Sequence, residues 1–95
     1  MAVQTPQRAD GAKIRALVVD DEESITQLIA MALRYEGWDV ETAETGQEAL
    51  DKIRTFNPDV AVFDIMLPDF DGMQLLSRVR SAGEMFPVLF LTALD

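Results

Sequence analysis

Acidic and hydroxyl side chains follow directly after three short apolar runs of the sequence. Residues 16–19 precede Asp20 and Asp21, residues 60–63 precede Asp64, and residues 87–91 precede Thr92. Short apolar runs rich in β-branched residues are typical of buried strands. In an open parallel sheet, binding sites form outside the carboxyl ends of the strands. We therefore predict that Asp20, Asp21 and Asp64 converge if the first and third strands are neighbours.

Three converging carboxylates repel one another, and a bound divalent cation relieves that repulsion. The chain has no Cys and no His, so the cation must be a hard one on oxygen ligands, Mg²⁺ or Ca²⁺ in kind. Mg²⁺ uses few carboxylates and keeps positions for water and phosphate oxygens. Asp64 then stays free to attack phosphorus and form an acyl phosphate, and Thr92 could donate its hydroxyl to a phosphoryl oxygen. A single Asp in such a position is more often a solvated loop residue, but three of them favour a site.

Helical periodicity separates the predicted strands. In the first helix, Ile25, Leu28 and Ile29 recur at helical spacing and are expected on the buried face. A capping-box pattern begins at Thr45, and Asp71 fits the cap of a third helix. Four strands alternating with three helices predict an α/β fold, with helices on both faces of a parallel sheet.

Length and charge limit the classes of function. A chain of 95 residues suffices for one small domain, which we place at residues 14–95 after a flexible tail at residues 1–13. The formal charge of −9 argues against direct nucleic-acid binding by this chain. No apolar run approaches the roughly 20 residues of a membrane span, and the first residues do not resemble a signal peptide. We therefore expect a cytoplasmic protein.

Four segments resemble the motifs of one known family. They are VVDDE at residues 18–22, ETGQEAL at 44–50, VFDIMLPDFDG at 62–72 and FLTA at 90–93. In order and spacing they are similar to the receiver domains of bacterial response regulators, the phosphorylated switches of two-component systems. The resemblance implies a flavodoxin-like, doubly wound parallel sheet. Residues 66–68 and 91–93 are most similar to the corresponding segments of regulators that carry a winged-helix DNA-binding domain and control transcription.

The resemblance also implies a role for each matching residue. Asp64 would take a phosphoryl group from a sensor histidine kinase. Asp20 and Asp21 would hold Mg²⁺ beside Asp64, one of them partly through water, and the backbone carbonyl of Met66 would complete the protein ligands. Thr92 would swing toward the phosphate and signal its presence. Such a protein takes part in its own phosphoryl transfer but is not a metabolic enzyme.

The sequence departs from the family pattern after its fourth strand. A receiver domain continues through a further helix, strand and helix, whereas this chain stops at Asp95. The family's phosphate-contacting lysine lies in that missing part, and neither Lys13 nor Lys52 matches its position. We therefore expect an incomplete fold from a longer regulator, in which any DNA binding belongs to a missing C-terminal domain. The fourth strand would form an exposed apolar edge that invites homo-oligomerisation.

Two alternative functions compete with the phosphorylated switch. Phosphatases and phosphotransferases with an aspartyl nucleophile also place an Asp at a strand end. They commonly carry a second Asp two residues later, where this chain has Met66. The other alternative is a non-signalling interaction or dimerisation fragment, which the missing lysine supports.

The segment that begins at Asp69 is similar to a calcium-binding loop. Such a loop needs Glu at its twelfth position, where this chain has Arg80. We interpret the segment as a turn followed by a helix cap.

Overall fold

In the computed structural model, residues 8–91 are described, and they form four strands and three helices in strict alternation. The elements in chain order are β1 (Arg15–Val19), α1 (Glu23–Tyr35), β2 (Asp39–Ala43), α2 (Gly46–Phe56), β3 (Val60–Asp64), α3 (Gly72–Ser81) and β4 (Val88–Leu91). This order confirms the predicted alternation.

The four strands form one parallel sheet in the order β2-β1-β3-β4. β1 therefore lies between β2 and β3, which is the arrangement required for the carboxylates to converge. Val19 of β1 pairs with Phe63 of β3, so Asp20 and Asp64 come next on neighbouring strands. The strand order reverses at β1, which is the switch point of a doubly wound sheet. The predicted flavodoxin-like α/β fold is confirmed.

Each face of the sheet has its own apolar core. Successive side chains of a strand point to opposite faces, and β1 follows this rule. Leu17 and Val19 pack with residues of α2 and α3, whereas Ala16 and Val18 pack on the side of α1. All four side chains are fully buried. Burial on both faces explains why this strand is a continuous apolar run.

The buried face of α1 differs from the prediction, which placed Leu28 in the core. Leu28 is 65% exposed, whereas Thr26 and Ala30 are buried. Thr26 can be buried because its hydroxyl donates to the carbonyl oxygen of Glu23 at 3.0 Å. Ile25 is half-buried at the edge of the same face.

Both predicted helix caps are present. At the start of α2, the hydroxyl of Thr45 accepts the N–H of Glu48 at 3.0 Å. The Glu48 carboxylate accepts the N–H of Glu44 and does not complete a box on Thr45. At the start of α3, Asp71 and Gln74 form a complete capping box.

Residues 8–13 contact the domain at the amino-terminal edge of the sheet. Arg8 lies 3.5 Å from the carboxylate of Asp59, which also accepts the N–H of Arg15 at 2.8 Å. Residues 1–7, the rest of the predicted tail, lie outside the described residues. None of the three helices between residues 8 and 91 is long and apolar enough to cross a membrane.

β4 is the last described strand and pairs with β3. In the part of the chain that the structure describes, no strand pairs with its other side. Leu89 of β4 is 64% exposed. Homo-oligomerisation through this edge stays a prediction.

Candidate functional site

Three carboxylates meet at the carboxyl-terminal edge of the sheet, where β1 and β3 end side by side. Asp20, Asp21 and Asp64 each place a carboxylate oxygen within 4.8 Å of the others. Asp20 is only 4% exposed, Asp64 is half-buried and Asp21 is exposed. The predicted convergence of these residues is confirmed.

The pKa of Asp20 shows that burial beside two other carboxylates disfavours its charged form. Burial raises the pKa of Asp20, and the negative charges of Asp64 and Asp21 raise it further. The N–H of Glu22, which donates to the Asp20 carboxylate at 2.9 Å, acts in the opposite direction. Asp20 therefore carries its charge in an unfavourable environment, which a cation between the carboxylates would relieve. Three oxygen donors from carboxylates fit a hard divalent cation.

The Asp64 carboxylate is held by the loop that follows it. Its Oδ1 accepts the backbone N–H of Met66 at 3.1 Å. The next residue after Asp64, Ile65, donates its N–H to the carbonyl oxygen of Leu91 at 3.3 Å. One carboxylate oxygen is therefore oriented by the protein, while the Met66 side chain is 74% exposed. Ligation of a metal by the Met66 carbonyl stays a prediction.

β4 reaches the same edge of the sheet through Leu91, which pairs with Asp64. Thr92, the predicted phosphate contact, lies outside the described residues. Its role therefore stays a prediction.

A cavity of about 330 Å³ opens beside the carboxylates. Asp20, Asp64 and Glu22 line one part of it, and Ile25 and Leu28 of α1 contribute an apolar wall. The exposure of Leu28, which contradicts the core prediction, thus places an apolar side chain directly next to the acidic group.

Neither lysine of the chain lies at the carboxylates. Lys52 donates from Nζ to the backbone carbonyl of Thr42. Lys13 borders a separate hollow with Arg34 and Trp38, at the opposite edge of the sheet. The expectation that no residue of this chain supplies the family lysine is consistent with these positions.

The loop after β3 and the first residue of α3 contain two residues whose importance the sequence interpretation missed, Asp69 and Gly72. A Cβ added at Gly72 would lie 2.5 Å from the carbonyl oxygen of Asp64, so any other residue there would force the backbone to shift. Asp69 accepts backbone N–H groups of α2. Burial works toward raising the pKa of Asp69, but the N–H groups of Gly46, Gln47 and Phe70 outweigh it and lower the pKa. The interpretation as a turn and cap is right for Asp71 but left Asp69 without a role.

The fold and the site together define a class of protein. It is the doubly wound parallel α/β domain with an acidic site at the switch point of its sheet. Within that class, the chain matches the response regulator receiver domain over residues 16–95. The chain therefore belongs to the response regulator receiver domain family.

Curated relatives of this chain are transcriptional regulators. It is 59% identical over 88 residues to the transcriptional regulatory protein TrcR of Mycobacterium tuberculosis. It is 49% identical over 81 residues to the alkaline phosphatase synthesis transcriptional regulatory protein PhoP of Bacillus subtilis. These matches cover 93% and 85% of this chain but 34% of each relative. The chain thus spans about a third of the length of the curated relatives that it matches.

Solved structures confirm the fold. The Francisella response regulator 1452 receiver domain is 41% identical, with a TM-score of 0.81 over 87% of this chain and 69% of that chain. The BeF3-activated receiver domain of Klebsiella pneumoniae RstA is 34% identical, with a TM-score of 0.78 over 85% of this chain and 68% of that chain.

Proposed function

We propose that this chain is a phosphorylation-dependent switch that accepts a phosphoryl group on Asp64 with the help of Mg²⁺. The observation that supports it most is the meeting of Asp20, Asp21 and Asp64 within 4.8 Å at the switch point of the sheet. The residues that would hold Mg²⁺ are these three carboxylates and the carbonyl of Met66. When bound, Mg²⁺ would neutralise charge on the carboxylates and on the phosphoryl oxygens.

The chain's own contribution to the reaction is to orient the nucleophile. The N–H of Met66 holds Oδ1 of Asp64, which leaves Oδ2 free to attack phosphorus. As the new O–P bond forms, the bond from phosphorus to the donor's leaving atom breaks, and its electron pair stays with the leaving group. The product is an acyl phosphate on Asp64. Thr92 would donate its hydroxyl to a phosphoryl oxygen.

We propose a sensor histidine kinase as the phosphoryl donor and control of transcription as the output of a longer regulator. Membership in the receiver family and the names of the curated relatives support both. The apolar wall beside the acidic group offers a docking partner a surface that includes the reactive carboxylate.

The intact mass of the chain after incubation with acetyl phosphate tests this function. We expect one added phosphoryl group that requires Mg²⁺ and disappears in Asp64→Asn. Asp39→Asn is the matched control, because Asp39 is an exposed carboxylate at the start of β2, at the opposite edge of the sheet from Asp64. An adduct that persists in Asp64→Asn, or that forms equally without Mg²⁺, would refute the assignment.

One observation favours the alternative of a non-signalling interaction fragment. Lys52 and Lys13 make their contacts elsewhere, and an acidic site without a lysine would stabilise charge on a phosphoryl group less well. A folded chain that takes up no phosphoryl group in the same experiment would support that alternative.

A further inference from the structure

An aspartate outside the carboxylate group ties the loop between β3 and α3 to the start of α2. Asp69 accepts the N–H of Gly46 at 2.8 Å through Oδ1 and the N–H of Gln47 at 2.9 Å through Oδ2. These are the first two residues of α2, and N–H groups in the first turn have no partner within their own helix. The positive end of the helix dipole also favours a carboxylate there.

An apolar contact reinforces the same junction. Phe70 packs so closely on Gly46 that a Cβ at residue 46 would clash with its ring. On the same ring, the guanidinium carbon of Arg78 in α3 lies 4.1 Å from the centroid, a cation–π distance. The loop is therefore held between α2 and α3 by two consecutive residues.

The loop held in this way carries the atoms proposed to work at the site. Met66, three residues before Asp69, donates its N–H to Asp64 and is the proposed carbonyl ligand of Mg²⁺. Leu67 packs against the core, and Pro68 has a fixed φ. Both restraints lie between Met66 and Asp69, so we expect a displacement of one residue to move the other.

Asp69 completes the capping of α2 from a distant segment of the chain. Thr45 already satisfies the third N–H of the helix, that of Glu48. Asp69 supplies the two remaining acceptors from a segment more than twenty residues downstream in the chain. Its contacts therefore join the loop between β3 and α3 to the start of α2, whereas the cap made by Thr45 is local to α2.

We propose that Asp69 is a positioning residue, which sets the affinity for Mg²⁺ and the reactivity of Asp64 by fixing the loop that carries Met66 against α2. This inference rests on the proposed function, because it assumes that Mg²⁺ binds at Asp20, Asp21, Asp64 and Met66. Asp69 itself touches neither the metal nor the phosphoryl group.

The test compares Asp69→Ala with Thr45→Ala, which weakens the start of α2 without cutting the link to the loop. Loss of a residue that orients metal ligands typically weakens metal binding on the order of tenfold. We expect Asp69→Ala to raise the Kd for Mg²⁺ by about that factor in calorimetric titration. Thr45→Ala should lower the melting temperature comparably, yet change the Kd less than about twofold. Asp69→Asn, which keeps one acceptor oxygen, should give an intermediate Kd.

Amide chemical shifts provide a second measurement, which reports on the contact between Asp69 and the start of α2. In the wild-type chain, Mg²⁺ should shift the amide resonances of Gly46 and Gln47 in ¹⁵N spectra, although neither residue belongs to the proposed metal site. In Asp69→Ala at saturating Mg²⁺, those two shifts should be lost, while the shift of Met66 persists. A purely structural role for Asp69 predicts no such selective loss.

The outcomes separate this inference from the function on which it rests. If wild-type chain binds Mg²⁺ and Asp20→Asn abolishes binding, the metal site stands. An Asp69→Ala chain that then binds as tightly as wild type overturns the positioning role alone. Equal weakening in Asp69→Ala and Thr45→Ala also overturns it, because both would act through stability. A folded wild-type chain without Mg²⁺ binding overturns the proposed function and this inference together.

Discussion

Replacing Gly72 by Ala tests whether the start of α3 fixes the backbone of Asp64. Gly72 is buried, and its N–H donates to the carbonyl oxygen of Ile65 at 2.8 Å. A Cβ at this position would lie 2.5 Å from the carbonyl oxygen of Asp64 and 3.1 Å from the Cα of Ile65. Both atoms belong to the backbone, so no side-chain rotation can relieve the clash. The end of β3 or the start of α3 must move.

The size of the effect follows from the cost of overpacking. Inserting a methyl group into a packed region typically costs about 1–3 kcal/mol. In a domain of this size, each kcal/mol lowers the melting temperature by about 4–8 °C. We therefore expect Gly72→Ala to lower the melting temperature by roughly 8–16 °C for a cost near 2 kcal/mol. Without the clash the sign would be opposite, because Ala is favoured over Gly in a helix by up to about 1 kcal/mol.

Thermal melts and acetyl phosphate labelling of the same samples measure both consequences. Gly83→Ala is the matched control, because Gly83 follows α3 and has open space around it. Its φ of +89° makes Ala unfavourable there by about 1–2 kcal/mol, with no effect on Asp64. Gly72→Ala should slow phosphoryl uptake below its melting temperature, whereas Gly83→Ala should not. A melting temperature for Gly72→Ala at or above that of the wild-type chain would refute the reasoning.

Three further predictions concern other parts of the molecule. Because burial, together with nearby carboxylates, raises the pKa of Asp20 above its ordinary 3.8, the contribution of Asp20 to the stability of the metal-free fold should fall as pH rises above that value. Asp20→Asn should remove this decline and also the stabilisation by Mg²⁺. Melts from pH 4 to 8, with and without about 10 mM Mg²⁺, would measure both effects. A pH profile of Asp20→Asn identical to that of the wild-type chain would contradict this prediction. Leu17→Ala should cost about 2–5 kcal/mol in denaturant titration, because Leu17 is fully buried in β1; a loss below about 1 kcal/mol would contradict the packing described for the sheet. Arg8→Ala should cost less than about 1 kcal/mol, because its ion pair with Asp59 lies near the surface; a larger loss in the same titration would mean that residues 8–13 belong to the cooperative core.

The sheet and its carboxylates could be predicted from the sequence because both depend on local patterns. β1 and β3 are short apolar runs that end at Asp20 and Asp64. The alternation with helices determines that the strands are parallel, which brings their carboxyl ends to one edge. The order β2-β1-β3 then makes β1 and β3 neighbours. The one non-local assumption was that the first and third strands are neighbours, and the observed pairing of β1 with β3 confirms it.

The errors arose where the structure depends on contacts that periodicity does not encode. Leu28 was assigned to the core from helical spacing alone, yet the buried position is taken by Thr26, whose hydroxyl donates to the Glu23 carbonyl. Asp69 received no role because its partners, Gly46 and Gln47, lie at the start of α2, more than twenty residues earlier in the chain. The sequence holds a weak signal for that contact. Gly46 begins a helix where Ala would be a better helix former, which indicates a close neighbour.

The position of β1 in the sheet has a consequence for the order of folding. β1 is synthesised first, yet its partners are β2 and β3: Arg15 pairs with Asp39, and Ala16 pairs with Val60. Neither pairing is a hairpin, so a long loop must close before either strand stabilises β1. On the ribosome, residues 16–19 therefore remain an uncovered apolar segment until β3 has emerged. The amide protons of these residues should exchange only through global unfolding, which makes them the natural reporters of when the domain has formed.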